Sequence, residues 1–353
     1  MLSIIFQGQE NLLVLLSAFI IGGIFKTHKI FIPLFSLLAE KIKSKKLALL
    51  TVSLISGILP IEGRVSVSAP ILDSLVKKKD CCSGQQPREK LGILDFIATH
   101  HYYLWSPLEK SVILIMAGLG ISYLQLLSYT LIPILLYLGY LIFIVFKYVD
   151  DVDLELITKS KECKTTDNKF SPFLEVLPFF AGIILSIFFE PYCVFPIVAL
   201  FYILYKYVSL KEILSYIKWD TLLWVTLVII LANIAKANSS MIMNIVHLNN
   251  VTNISTLFIV GLVLISGAAA SFILGSSGKY AGICVALTLV LGIKYFILIL
   301  MAEYVGYLLS PTHKCLAISA SYFDTKPIEF YKYIIQLCLL MLLGGLISFC
   351  LIG

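Results

Sequence analysis

The residues of this chain whose types and spacing could do chemistry fall into two pairs of related stretches. The run Ser56–Leu72, SGILPIEGRVSVSAPIL, places Pro60, Glu62, Gly63 and Arg64 inside an otherwise apolar segment. The run Ser271–Leu287, SFILGSSGKYAGICVAL, aligns with it. Ser56 meets Ser271, Ile58 meets Ile273, Leu59 meets Leu274, Gly63 meets Gly278 and Leu72 meets Leu287, and a cation follows the glycine in both, as Arg64 and as Lys279. The second pair is Tyr103–Lys110, YLWSPLEK, and Tyr307–Lys314, YLLSPTHK, with five identities in eight positions. One polar insertion, Lys77–Glu89, accounts for the longer spacing in the first copy.

Each pair carries a chemical reading and a plainer one. A charge placed deep in an apolar segment is costly and marks function by default. Arg64 and Lys279, with Gly63 and Gly278 beside them, therefore read as binders of a small anion such as a carboxylate or other oxyanion. The plainer reading pairs Arg64 with Glu62 or Asp73 and lets Lys279 reach the membrane surface. Serine is a favoured N-cap and proline suits the first helical position. Ser106–Pro107 and Ser310–Pro311 are thus expected to start half-helices whose positive ends attract the anion; the alternative is a simple proline kink. Glu62 faces Ser277 in the alignment and is present in one copy only. It reads as a proton or sodium coupling site, or as the neutraliser of Arg64. Gly275 and Ser276, with Ser277, offer carbonyls and hydroxyls to Na⁺, a hard cation that takes oxygen ligands; small residues also serve close helix packing. Glu109 and His313 hold equivalent places just after the two Ser-Pro pairs. His100 and His101 could shuttle protons or pack with Tyr102, Tyr103 and Trp105. Asp95 has no evident partner.

The elements that must position these residues are membrane helices. The chain has 353 residues, 59% hydrophobic and 14% charged, where a soluble domain is about a quarter charged; mean hydropathy is +0.96. Apolar runs long enough for a hydrocarbon core of about 30 Å recur along its length, among them Asn11–Phe25, Thr130–Phe146, Pro172–Phe189, Thr221–Leu231 and Ile334–Ile352. They are continuous and do not alternate with period two, which excludes a β-barrel. No removed signal peptide is evident, so the first helix is expected to remain as an anchor. The cysteines show no metal spacing and read as apolar fillers. The N-x-S/T patterns at Asn238, Asn250 and Asn253 lie in an Asn-rich loop and read as chance.

Basic residues set the orientation. Clusters at Lys41–Lys46, at Lys77–Lys90, at Lys147–Lys169 and at Lys206–Lys218 are placed in the cytoplasm by the positive-inside rule, and the loop Asn238–Thr252 faces outside. The first tip, flanked by lysines on both sides, then enters and leaves on the cytoplasmic face. Such irregular backbone is tolerated only where protein or a wet cavity covers it. The second tip enters from outside. The sequence therefore predicts an all-α polytopic membrane protein with two inverted repeats, each holding a re-entrant hairpin and a broken helix. Repeat one spans 1–150, with its hairpin at 47–76 and its broken helix at 91–126. Residues 151–206 link it to repeat two, 207–353, with a hairpin at 254–293 and a broken helix at 295–323. Both chain ends are expected outside. Inverted repeats with discontinuous helices point to a secondary transporter whose site lies at the midplane.

No Walker-type phosphate loop, HExxH or GxSxG is present, so neither ATP drive nor familiar hydrolysis is expected. The alternatives are a cation/proton antiporter using Glu62, and a membrane-embedded enzyme or assembly subunit with Glu62, His100 and His101 as acid/base groups. The stretches GILPIEGRVSVSAPILD, THHYYLWSPLEK and LLSPTHKCLAISASYF resemble the ion-transporter superfamily, and most closely its domain of unknown function 401 branch, relatives of gluconate-type permeases. Members of that branch carry proline and paired glycines where this chain has Ile61–Glu62–Gly63–Arg64. They also carry an SP-x-H-x-CL pattern matched here by Ser310, Pro311, His313, Cys315 and Leu316. The resemblance implies a fixed scaffold, a moving transport domain with two hairpins, and a homodimer working by an elevator motion. The expected partners are thus a small anionic solute, Na⁺ or H⁺, the lipid bilayer and a second copy of the chain, with no nucleic acid and no cofactor beyond a coupling Na⁺. The expected place is a cell inner or plasma membrane, crossed several times.

Overall fold

The structure, a computed structural model, describes residues 8–60, 64–65, 68–69, 72, 85–148, 172–238 and 253–352. Glu62 and Gly63, the expected Asn238–Thr252 loop beyond Asn238, and the cysteine pair 81–82 lie outside the described residues. Every described element is helical. In chain order these are α1 (Asn11–His28), α2 (Phe31–Lys41), α3 (Lys45–Ile58), α4 (Gln85–Ala98), a 3-10 turn (His101–Leu104), α5 (Lys110–Leu119), α6 (Tyr123–Tyr148), α7 (Pro172–Leu185) and α8 (Pro191–Tyr205). They are followed by α9 (Leu210–Tyr216), α10 (Trp219–Ala237), α11 (Asn253–Leu274), α12 (Ser277–Leu291), α13 (Phe296–Leu309), α14 (Lys314–Tyr322) and α15 (Pro327–Ile352).

Among the described residues five segments are long and apolar enough to cross a membrane: Asn11–His28, Tyr123–Lys147, Trp219–Ala237, Ile293–Tyr322 and Pro327–Ile352. The distribution of side chains fits lipid as the outer solvent. Leu131, Leu135, Ile142 and Phe146 on α6, and Leu339, Leu343 and Leu346 on α15, face outward, while Asp95, His100 and Glu303 are fully buried. Polar groups inside and apolar groups outside is what a bilayer demands of a bundle.

Local chemistry explains where the helices stop. Gly120 takes φ +70° and closes α5 with its N–H on the Met116 carbonyl, a conformation cheap only for glycine. The helix after the first break therefore ends at Leu119, short of the expected 126, and α6 begins independently at Tyr123. Pro191 sits at the first position of α8, where its missing N–H costs nothing. Ser209 and Glu212 form a reciprocal capping box on α9. Outside the spans, the Ser209 hydroxyl and backbone N–H hold the Glu212 carboxyl below its ordinary value.

Two packing groups result. In the first, Phe25 of α1 makes edge-on ring contacts with Phe31, Phe179 and Tyr202 at 5.0, 5.1 and 5.0 Å, which ties α1, α2, α7 and α8 together. A partly buried ion pair, Lys206–Glu175, and the Tyr202 hydroxyl on the Glu175 carbonyl join the ends of α7 and α8. In the second, α11 packs on α13, α6 on α15, and α13 on α15. Gly306 makes the α11–α13 approach possible, since a Cβ there would lie 2.1 Å from the Ala268 carbonyl oxygen. Two residues, Gly275 and Ser276, reverse the chain between α11 and α12, which pack on one another as a helical hairpin.

Candidate functional site

The two Ser-Pro pairs build the same local structure. Ser106 accepts the N–H of Leu108, and the Glu109 N–H reaches the Ser106 carbonyl at 3.0 Å. Ser310 accepts the N–H of Thr312, and the His313 N–H reaches the Ser310 carbonyl at 3.2 Å. Each is a hydrogen-bonded turn with proline in its second place, where the ring fixes a suitable φ. The helix starts only afterwards, so the expectation that the serines are N-caps is corrected: the N-caps are Glu109 for α5 and His313 for α14. The turn takes up the serine hydroxyls, and the chain needs four residues to turn before it can coil. This delivers Glu109 and His313 to the mouths of the two half-helices, with Lys110 and Lys314 as the first helical residues.

The first break leaves carbonyls that a continuous helix would have paired, and side chains from distant elements satisfy them. Tyr137 donates to Ile97 O at 2.7 Å, Tyr304 to His100 O at 2.8 Å and Tyr123 to Trp105 O at 2.7 Å. Arg64 does more than any of these. Its guanidinium donates to Leu59 O at 2.7 Å, to Thr99 O at 3.3 Å and to the Glu109 carboxylate at 2.9 Å. It also lies 3.5 Å from the centroid of the Tyr102 ring. Arg64 thus caps the negative ends of α3 and α4 and forms a buried ion pair with Glu109. Arg64 also lines the cavity described below; Glu62 and Asp73, the partners expected from the sequence, lie outside the described residues.

Glu109 joins both halves. Its other oxygen accepts from the Ser277 hydroxyl at 3.3 Å, so the start of α12 is tied to the first break and through it to Arg64. A further contact between halves is His100 Nε2 to His313 Nε2, at 3.0 Å. Gly275 closes the tip of the α11–α12 hairpin against the second turn. It takes φ +54°, and a Cβ would lie 2.3 Å from Thr312 Oγ1 and 2.8 Å from Ser310 Oγ.

These contacts surround a cavity of about 750 Å³. Of the expected residues it is lined by Arg64, Gly275, Ser276, Ser277, Lys279 and His313. Ser106 and Ser310 are fully buried behind it, Gly278 packs close to Lys110, and Glu62 and Gly63 lie outside the described residues. Lys279 is exposed to the cavity. The described lining contributes six cationic side chains, Lys26, Arg64, Lys110, Lys218, Lys279 and Lys314, against one carboxylate, Glu109. Lys26 and Lys218 come from α1 and from the N-cap of α10.

Two buried acids complete the surroundings. Asp95 accepts from Ser68, which follows α3 in the chain, and from Ser319 of α14 at 3.3 Å. Glu303 accepts from Ser271 at 3.1 Å, and its Oε1 has no hydrogen-bond partner among the described residues. Glu303 escaped the sequence reading although it is the one acid in the apolar run Phe296–Leu309, and an acid there is a signal in itself. The roles of Lys26, Lys218 and the capping tyrosines had no local signal; they depend on which helices meet. His100, His313 and Cys315 place ligand-type atoms within 4.8 Å of one another. Two imidazole nitrogens around a tetrahedral metal, each at about 2.05 Å, would stand about 3.3 Å apart. At 3.0 Å His100 Nε2 and His313 Nε2 are also within hydrogen-bonding distance of one another.

Comparison with known families gives one match. The sequence pattern of a family described as protein of unknown function (DUF401) matches residues 7–352. No curated protein matches the chain.

Proposed function

The chain belongs to the DUF401 family, and from its central cavity we propose that it is a secondary transporter for a small anionic solute. The observation that carries this reading is the lining: among the described residues six cations face one carboxylate, and that carboxylate is paired with Arg64. A cavity with such an excess concentrates anions and raises their encounter rate. Its volume suits a small molecule. The starts of α5 and α14 lie at its wall and add the partial positive charge of helix N-termini.

Transport, as against storage or catalysis, is supported by the order of elements. We read the order helix, short helix, hairpin, broken helix and long helix in both halves, from α1 to α6 and from α10 to α15. We take these as inverted repeats, 1–150 and 207–353, joined by 151–206. The two packing groups correspond to a scaffold built on α1, α2, α7 and α8 and a transport unit built on the hairpins and breaks. Lys26 and Lys218 line the cavity together with the hairpin tip, and we take this as the meeting of scaffold and transport unit in a homodimer working by an elevator motion. Coupling to Na⁺ or H⁺ supplies the drive, and no enzymatic step or cofactor is proposed.

The test is uptake into proteoliposomes of a panel of labelled carboxylates, phosphate and sulfonates, with Na⁺ and pH gradients imposed separately. Saturable uptake of an anion that responds to one gradient supports the proposal. Absence of flux for every anion, with flux of a cation instead, would favour an antiporter.

A further inference from the structure

The hydrogen bonds of the His100–His313 pair leave its two facing nitrogens with nothing between them unless a proton is added. His100 Nδ1 is held on the Phe96 carbonyl, with the Thr99 hydroxyl at 3.2 Å. His313 Nδ1 is held on the Tyr307 carbonyl at 3.2 Å. A carbonyl oxygen only accepts, so in each neutral ring the hydrogen is on Nδ1 and Nε2 carries a lone pair. The two Nε2 atoms then point lone pair to lone pair at 3.0 Å, an N–H···N distance that needs one hydrogen.

We propose that the pair binds a single proton between His100 Nε2 and His313 Nε2, and that this is the proton cotransported with the anion. The inference rests on the transport reading for its second half only. Both rings are buried, and both line the cavity. His100 stacks on Phe96 and His313 lies against Tyr307, each at 4.2 Å between centroids, so neither ring is free to turn its other nitrogen inward.

The charged and titratable groups around the pair explain why proton and anion would travel together. From the first hairpin segment comes Arg64, compensated by Glu109 of the first break. From α4 and its break come Asp95, held by two serines, His101 and Tyr103. From α13 and α14 come Tyr304, Tyr307, Cys315 and Lys314, and from α5 and α12 come Lys110 and Lys279. The sum is cationic. An added proton is repelled by this field in the empty cavity and is accommodated once an anion offsets it. By linkage the anion must bind more tightly to the protonated pair by the same factor. The proton enters from the cavity with the anion and returns to it when the anion leaves.

The test has two arms. In the first, protein labelled with ¹⁵N-histidine is placed in lipid bilayers and titrated from pH 9 to pH 5 by solid-state NMR, with succinate, with inorganic phosphate and with neither. A signal for one proton shared between two Nε2 atoms is expected, absent in His100→Gln, with its midpoint at higher pH when a bound anion is present. Two neutral rings throughout this range, one with its hydrogen on Nε2, overturn the proposal. So does a signal that appears only with added Zn²⁺. In the second arm, wild-type and His100→Gln proteoliposomes are compared for anion counterflow and for accumulation driven by a pH gradient. The ratio of accumulation to counterflow is expected to fall about tenfold or more in the variant, within the usual range of coupling between sites. An unchanged ratio removes the pair from coupling. Absence of counterflow in the wild type counts against the transport reading, and the NMR arm still decides whether the proton is there.

Discussion

At the scale of residues, the structure redistributes the cations that the sequence put forward as a pair. Arg64 and Lys279 align, yet Arg64 is buried among carbonyls and paired with Glu109, whereas Lys279 stands exposed in the cavity. The difference is geometric. A guanidinium offers a fork of donors suited to several acceptors at once, and an ammonium is a point charge on a flexible stem. Removing one partner of a buried ion pair leaves an uncompensated charge and costs about 3–5 kcal/mol. Arg64→Ala should therefore destabilise the protein by about that amount, and Arg64→Ala with Glu109→Gln should recover part of the loss. Thermal melts of the two variants in detergent check this, and equal or greater loss in the double variant would contradict it. Lys279→Ala should leave the melting temperature nearly unchanged, as exposed substitutions shift stability by only about 0.5 kcal/mol. It should weaken anion binding about tenfold, or about 1.4 kcal/mol, measured by isothermal titration. Arg64 and Glu109 were each visible in the sequence as charged groups in apolar surroundings. Their partnership was not, because it joins residues 45 positions apart across a helix break.

At the scale of elements, the repeated Ser-Pro pair was legible and the position of the helix start was not. Proline and serine fit an N-terminus, but they fit a turn equally well, and the turn prevailed because it satisfies the serine hydroxyl and a backbone N–H together. The hairpin tip depends on glycine for two reasons at once. Gly275→Ala would force a Cβ into the left-handed region and against Thr312, at a cost of about 1–3 kcal/mol for the backbone alone. Gly306→Ala should also destabilise, since its Cβ would collide with the Ala268 carbonyl, whereas Gly261→Ala, with open space around it, should not. A comparison of the three melting temperatures tests the packing of α11 on α13; equal effects at Gly306 and Gly261 would contradict it. The capping box of α9 gives a pH prediction. The Glu212 carboxyl is held below its ordinary value by Ser209, so its contribution is present above the unfolded-state value and is lost as pH falls through the folded one. Amide exchange along Leu210–Tyr216 should accelerate as pH falls through the acidic range relative to its intrinsic rate, and Glu212→Gln should abolish that change.

At the scale of the whole molecule, hydropathy alone announced a helical membrane protein, because lipid as a solvent leaves little choice of backbone. The helix pairings that make the cavity were less legible. Lys26 and Lys218 sit in segments with no motif, and only the approach of α1 and the start of α10 to the hairpin tip turns them into lining. The described cavity lining presents a field: six cations around one compensated carboxylate, between two helix breaks tied together by Ser277–Glu109 and His100–His313. The most direct measurement of the central claim is anion counterflow in proteoliposomes, comparing wild type with Lys279→Ala across the panel of carboxylates, phosphate and sulfonates. The account predicts saturable exchange of at least one anion by the wild type, with an apparent affinity about tenfold weaker in the variant. No exchange of any anion by well-folded wild-type protein, or exchange indifferent to Lys279, would contradict it.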